Sequence, residues 1–166
     1  MGSTSVVIGS AALSSVATGV PVLDRLIGLA ARAGRFQIAL ALAPAEPEAE
    51  VDAAGAELGR AMRPFLHADD ARGHGSGQMP MDEALATVVL EASDRPLVAS
   101  NVDLASSHFG GLETDLAQRF LGALAETAGL TVHVRLVEGE DTGHVADAIF
   151  KALGVALADA CTVVTN

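Results

Sequence analysis

Ala128–Leu157, AGLTVHVRLVEGEDTGHVADAIFKALGVAL, is the stretch whose reading decides the fold. Leu130, Val132, Val134 and Leu136 alternate with Thr131, His133 and Arg135, the period of a half-buried strand. Glu138-Gly139-Glu140-Asp141 interrupts that run. Val145, Ala148, Ile149, Ala152, Leu153 and Ala156 then recur at helical spacing, with Lys151 on the other face. The stretch has an echo about 95 residues upstream. Glu48–Met62, EAEVDAAGAELGRAM, aligns with Gly143–Leu157, so that Asp52, Ala53, Leu58, Gly59 and Ala61 fall on Asp147, Ala148, Leu153, Gly154 and Ala156. Ala30–Gly34 falls near Ala125–Gly129 at the same offset, and two matched blocks at one offset point to an internal duplication.

Working outward, the chain reads as the same order twice. Ser3–Ser10 and Ala11–Ala17 read as short strands, and Pro21 opens a helix that stops near Gly34. Phe36, Ile38, Leu40 and Leu42 mark a strand. Pro44–Glu50 reads as a loop, Val51–Phe65 as a helix and His67–Pro80 as a second loop. Thr87–Ala92 and Leu97–Val102 read as strands flanking a hairpin at Ser93-Asp94-Arg95-Pro96. Ala105–Gly111 reads as a loop and Leu112–Thr127 as a helix. The expected class is α+β. It is one domain over residues 1–166, with a first half 1–78 and a second half 79–166. Each half carries a small, mostly antiparallel sheet with two helices on one face, and the halves pack helix to helix.

Composition narrows the functions. Hydrophobic residues make up 50% of the chain but aromatic residues only 3%, so the core is built from Ala, Val and Leu. Small side chains bury less area each, which leaves room for stabilisation by oligomer contacts. A formal charge of −11 disfavours nucleic acid and anionic membranes as partners. Cys161 is the single cysteine, so no intrachain disulfide forms and a reducing, cytoplasmic setting is expected. No apolar run reaches membrane-spanning length, and the N-terminus lacks the basic region of a signal peptide.

Few residues carry chemistry by spacing alone. His144 and Asp147 are three apart on one helix, which turns both to one side. Such pairs occur in carboxylate-bridged metal sites, and more often on solvated helix faces. His133, on the preceding strand, joins them if it points the same way. Arg95 and Lys151 are candidate anion contacts. His67, His74 and His108 have no spacing partner and read as solvent-exposed.

Several blocks together resemble the imidazoleglycerol-phosphate dehydratase family, from about Ser3 to Ala160. Thr18-Gly19-Val20-Pro21-Val22-Leu23-Asp24 resembles the family's TGIPFLD, and Pro80-Met81-Asp82-Glu83-Ala84-Leu85 its PMDEAL. Asp94-Arg95-Pro96 is similar to its GRP segment, and Glu113-Thr114-Asp115-Leu116 to its (D/E)TEL helix start. Ala128–Val134 resembles AGLTLHV, and Ala148–Leu153 the segment ending in FKAL. The resemblance implies a duplicated α/β half of the ribosomal protein S5 domain 2-like type. It also implies large homo-oligomers, a 24-mer or a trimer-based form, with active sites between subunits and two manganese ions held by histidines and carboxylates.

The family's metal-binding positions are mostly altered here. Its histidine after LD is Arg25, its HHTVED is Glu48-Ala49-Glu50-Val51-Asp52-Ala53, and its HHIIE is Gly143-His144-Val145-Ala146-Asp147. No metal is therefore expected, or at most one manganese at a residual site of Glu48, His133 and Asp147. Arg25 is expected to pair with Asp52 or Asp147 in place of an ion's charge. Arg95, Lys151 and Arg72 are the positions similar to the family's phosphate anchors. The reading that follows is a non-dehydratase paralogue that binds a small phosphorylated ligand or assembles with a catalytic homologue. The alternative is a lyase of the family, repurposed or still active. It would work through His133, His144, Asp147, Asp52 and Arg25 as acid–base groups.

Overall fold

A computed structural model describes residues 4–104, 108–109, 112–113 and 115–165. Of the expected loop over Ala105–Gly111, residues 105–107, 110 and 111 lie outside the described residues, as do the position of Thr114 and the side chain of His108. The elements run β1 (Thr4–Ile8), β2 (Ser15–Ala17), α1 (Pro21–Gly34), β3 (Phe36–Ala41) and α2 (Pro47–Leu66). They continue with β4 (His74–Met81), β5 (Ala84–Ala92), β6 (Leu97–Ser100), β7 (His108–Phe109), β8 (Leu112–Glu113), α3 (Leu116–Ala128), β9 (Leu130–Glu138) and α4 (Thr142–Ala160). The class is α+β, as the periodicities indicate.

The first sheet has the order β1-β3-β2 and the second β4-β5-β9-β6, each with one parallel strand at an edge. The four helices stand between the sheets. α1 and α2 pack on the first, α3 and α4 on the second, and across the middle α1 meets α4 while α2 meets α3. The rings of Phe120 (α3) and Phe150 (α4) stack at 5.6 Å, fully buried. The echo-matched Gly59 and Gly154 mark the two helix crossings. A Cβ at Gly154 would collide with the carbonyl oxygen of Ala30, and one at Gly59 with Thr127 Oγ1. Glycine at both points lets two backbones touch.

Four expectations change. His67–Pro80 is not all loop, because His74–Met81 is β4. Its glycines hide the strand pattern for a physical reason. α4 lies directly on β4, and a Cβ at Gly75 or Gly77 would strike α4's backbone at Ala156 or Ala152. Residues 78 and 79 fall inside this strand, which pairs with β5 along its whole length. β5 and β6 form no hairpin, since β9 inserts between them and pairs with β6 in parallel. α2 begins at Pro47 rather than after Glu50. Proline suits a first helical position, and Glu48 and Glu50 complement the helix dipole there. α3 begins at Leu116, after Asp115 in the left-handed region (φ 54°).

Candidate functional site

Arg25, Glu48, Asp52, His144 and Asp147, all singled out in the sequence, lie in the first two turns of their helices. Asp141 caps α4, its carboxylate accepting from the His144 amide at 3.0 Å. The cap holds the His144 ring against the turn between β4 and β5. There Nδ1 lies 2.7 Å from Glu83 Oε2, and Nε2 lies 3.3 Å from Asp82 Oδ2. Glu83 also accepts from the Asp141 amide at 3.1 Å. The hydrogen bond to Glu83 is the main cause that raises the His144 pKa above 6.5. The Asp141 amide first, then the His144 bond, hold the Glu83 carboxyl below 4.5.

One turn along α4, Asp147 is 9% exposed. Its Oδ1 accepts from Arg25 on α1 at 2.7 Å, and Arg25's side chain is 50% exposed. The expected pairing of Arg25 is therefore with Asp147. A further turn on, Lys151 Nζ donates to the Pro80 carbonyl at 2.7 Å. His144, Asp147 and Lys151 thus form one stripe that ties α4 to α1 and to the end of β4.

A second cluster answers the first across the molecule. Arg119 on α3 donates to Asp52 on α2 at 3.0 Å and to Asp115 at 3.2 Å, and its guanidinium lies 3.6 Å from Glu48. The bond to Asp115 leads the causes that raise the Arg119 pKa, followed by the charges of Asp52, Asp115 and Glu48. Each ion pair joins a helix of one half to a helix of the other: α1 to α4 through Arg25–Asp147, α3 to α2 through Arg119–Asp52. The sequence reading missed Arg119, Glu83 and Asp82. The echo held a signal for Arg119, since Asp52 falls on Asp147 and the helix facing Asp52 is the counterpart of the one that carries Arg25.

Other expected partners stay apart within one chain. On β9, Leu130, Val132 and Val134 face the helices, so His133 points out from the opposite side of the sheet, exposed and away from α4. Arg95's carbonyl accepts from Thr131 at the start of β9. That is roughly 23 Å along the strand from its far end, beside which α4 begins. Arg72 pairs with Asp159 at 2.8 Å, roughly 18 Å along α4 from Asp147. His67 is exposed, as expected, and its ring also bonds the carbonyls of Ala128 and Gly129. An open groove of about 550 Å³ runs between β6 and α3, with Arg119, Gln118 and Leu97 in its walls.

The residual metal set does not fit a metal ion within one chain. Glu48 lies beside Arg119, His133 is outside the sheet, and Asp147 already holds a guanidinium. Among the described residues, no group of three or more His, Cys, Asp or Glu is placed to hold a metal. To take Asp147, an ion would have to displace Arg25 or bear its repulsion, about 4 kcal/mol per unit charge at 4 Å and an effective dielectric of 20.

Comparison with known proteins bears on this arrangement. The sequence profile described as imidazoleglycerol-phosphate dehydratase matches residues 18–157. The chain belongs to the imidazoleglycerol-phosphate dehydratase family. It is 36% identical to the dehydratase of Acetivibrio thermocellus, over 94% of this chain and 82% of that protein. It is 39% identical to that of Moorella thermoacetica, over 87% and 76%. Among solved structures, the Staphylococcus aureus dehydratase superposes with a TM-score of 0.86 at 28% identity, covering 98% of this chain and 94% of that one. The Pyrococcus furiosus dehydratase, solved in complex with (S)-C348, gives 0.83 at 26%, covering 98% and 90%. The matched region of the family profile contains both helix-to-helix ion pairs. No described helix is long and apolar enough to cross a membrane.

Proposed function

We propose that this chain is a lyase-type member of the family, acting on a small phosphorylated molecule through acid–base groups set in ion pairs instead of a two-manganese centre. The observation that carries the reading is His144, held between Glu83 and Asp82 one turn from the Arg25–Asp147 pair. Loss of water from carbon needs a proton delivered to the departing hydroxyl and another taken from the neighbouring carbon by a base. His144, with its protonated form favoured by Glu83, is suited to deliver it. Arg25 fixes Asp147, and Arg119 fixes Asp52. Lys151, Arg95 and Arg72 are the anchors for phosphate. Because these anchors and His133 are dispersed over one chain, a site that uses them together requires neighbouring copies, which supports a homo-oligomer. The duplicated halves, residues 1–78 and 79–166, and a cytoplasmic location belong to the same proposal.

The names of the relatives favour this reading over the non-catalytic paralogue inferred from the altered metal positions. One observation still supports the paralogue: Asp52, Asp147 and Glu48 all lie against arginines, which neutralises groups a substrate would need. One experiment separates the two. The purified protein is assayed with imidazole glycerol phosphate in EDTA and in added manganese, with binding followed by calorimetry. Turnover in EDTA that falls ~100-fold or more in His144→Gln supports the acid–base lyase. Binding without turnover in either condition supports the paralogue. Turnover that requires manganese overturns both metal-free readings.

A further inference from the structure

The chain's charge of −11 makes any unpaired cation conspicuous, and two of its arginines share one groove. Arg32 and Arg35 line an open cavity of about 520 Å³ between the end of α1 and the loop Ser10–Ser14. Neither side chain has an ion pair or hydrogen bond among the described residues, whereas Arg25, Arg60, Arg72 and Arg119 each hold a carboxylate. Arg32 sits in the last turn of α1, where a cation complements the helix dipole. Arg35 has no such reason. It is the C-cap of α1 in the left-handed region, φ 58° and ψ 44°. Glycine normally fills that position, and at the end of α3 it does: Gly129 has φ 69° and ψ 61°. The first half therefore carries a strained arginine where the second half carries an unstrained glycine.

The backbone holds Arg35 in place. The Ser10 amide donates to the Arg35 carbonyl at 2.9 Å, which hangs the loop on this residue. Ser10 Oγ accepts from the Ala12 amide at 3.1 Å, and Ser14 Oγ bonds both Phe36 and Ile38 across the gap. The result is a cleft with Arg32 and Arg35 in one wall and a braced, serine-bearing loop in the other.

We propose that this cleft is an anion site for the phosphate group of a small molecule, separate from the residues at the starts of α2, α3 and α4. Guanidinium forks match phosphate oxygens in geometry and charge. Strain at Arg35 is the expected cost of placing the second fork. The test uses Arg35→Gly, which relieves the left-handed strain, and Arg32→Ala. Thermal melts are recorded in inorganic phosphate, in glycerol 3-phosphate, and in sodium chloride at matched ionic strength. The expected result is a rise in wild-type Tm with phosphate or its ester beyond that with chloride, and loss of this rise in both variants. Arg35→Gly should itself melt no lower than wild type without phosphate, which shows that the variant is folded. A response by the ester alone identifies an organic phosphate as the ligand, and a response by both places recognition on the phosphate group. An equal response to chloride, no response in wild type, or a wild-type response in Arg35→Gly would overturn the assignment.

Discussion

Replacing Arg25 by glutamine isolates the bond that joins α1 to α4. Asp147 is 9% exposed and Arg25's side chain 50%, so the pair lies between the surface and the interior. Exposed pairs contribute ~0.2–1 kcal/mol, and removing one partner of a buried pair costs ~3–5 kcal/mol. A half-exposed pair at 2.7 Å should cost about 2 kcal/mol when Arg25 is lost, because Asp147 is left charged and poorly solvated. For a chain of this length that is a fall in Tm of roughly 4–8 °C. Asp147→Asn keeps an acceptor for Arg25 and should cost about 1 kcal/mol. The double variant should cost about 2 kcal/mol rather than the sum, a coupling of about 1 kcal/mol. Urea melts of the four proteins supply the cycle, and calorimetry in EDTA or manganese supplies a second reading. Wild-type Tm should be the same in both, since the carboxylate is already taken. A coupling below about 0.3 kcal/mol, or a manganese-dependent rise in Tm, would refute the reasoning.

Three other outcomes are expected. The folded pKa of His144 is raised above 6.5, so its contribution to stability is complete below that pH and is lost as pH rises through the folded value. That of Glu83 is lowered below 4.5, so its contribution is present above that pH and is lost as pH falls through its folded value. Melts of wild type against His144→Gln should therefore differ most between about pH 4.5 and 6.5 and converge on the alkaline side. Gly154→Ala places a methyl on the Ala30 carbonyl and should cost at least about 2 kcal/mol in urea melts, whereas Gly28→Ala, with open space around it, should cost little. Cys161 is buried, and burial pushes its thiol up to about 11, so it should resist Ellman's reagent at pH 8 in the folded protein and react once urea unfolds it.

Much of the scaffold was legible because its signals are local. Alternation marked β3, β5 and β9, helical spacing marked α1, α3 and α4, and the motif blocks placed the chain in its family. Where a signal depended on another element, the reading failed. Gly75 and Gly77 looked like loop residues because the reason for their lack of side chains is α4, distant in sequence. The separation of β5 from β6 is likewise decided by β9 entering between them.

The site divides in the same way. Periodicity placed His144 and Asp147 on one helix face, and the family resemblance, which puts Arg25 at a metal-binding position, made it an expected partner for Asp52 or Asp147. Which carboxylate it took, and that Arg119 repeats the arrangement on Asp52, depended on how α1 meets α4 and α2 meets α3. Strand alternation turned His133 to the face opposite the helices, but only the packed structure fixed which face the helices cover. Residue type and spacing set what each group can bond. Distances of a few ångströms between elements far apart in sequence set what it does bond, because hydrogen bonds and ion pairs fall off within that range.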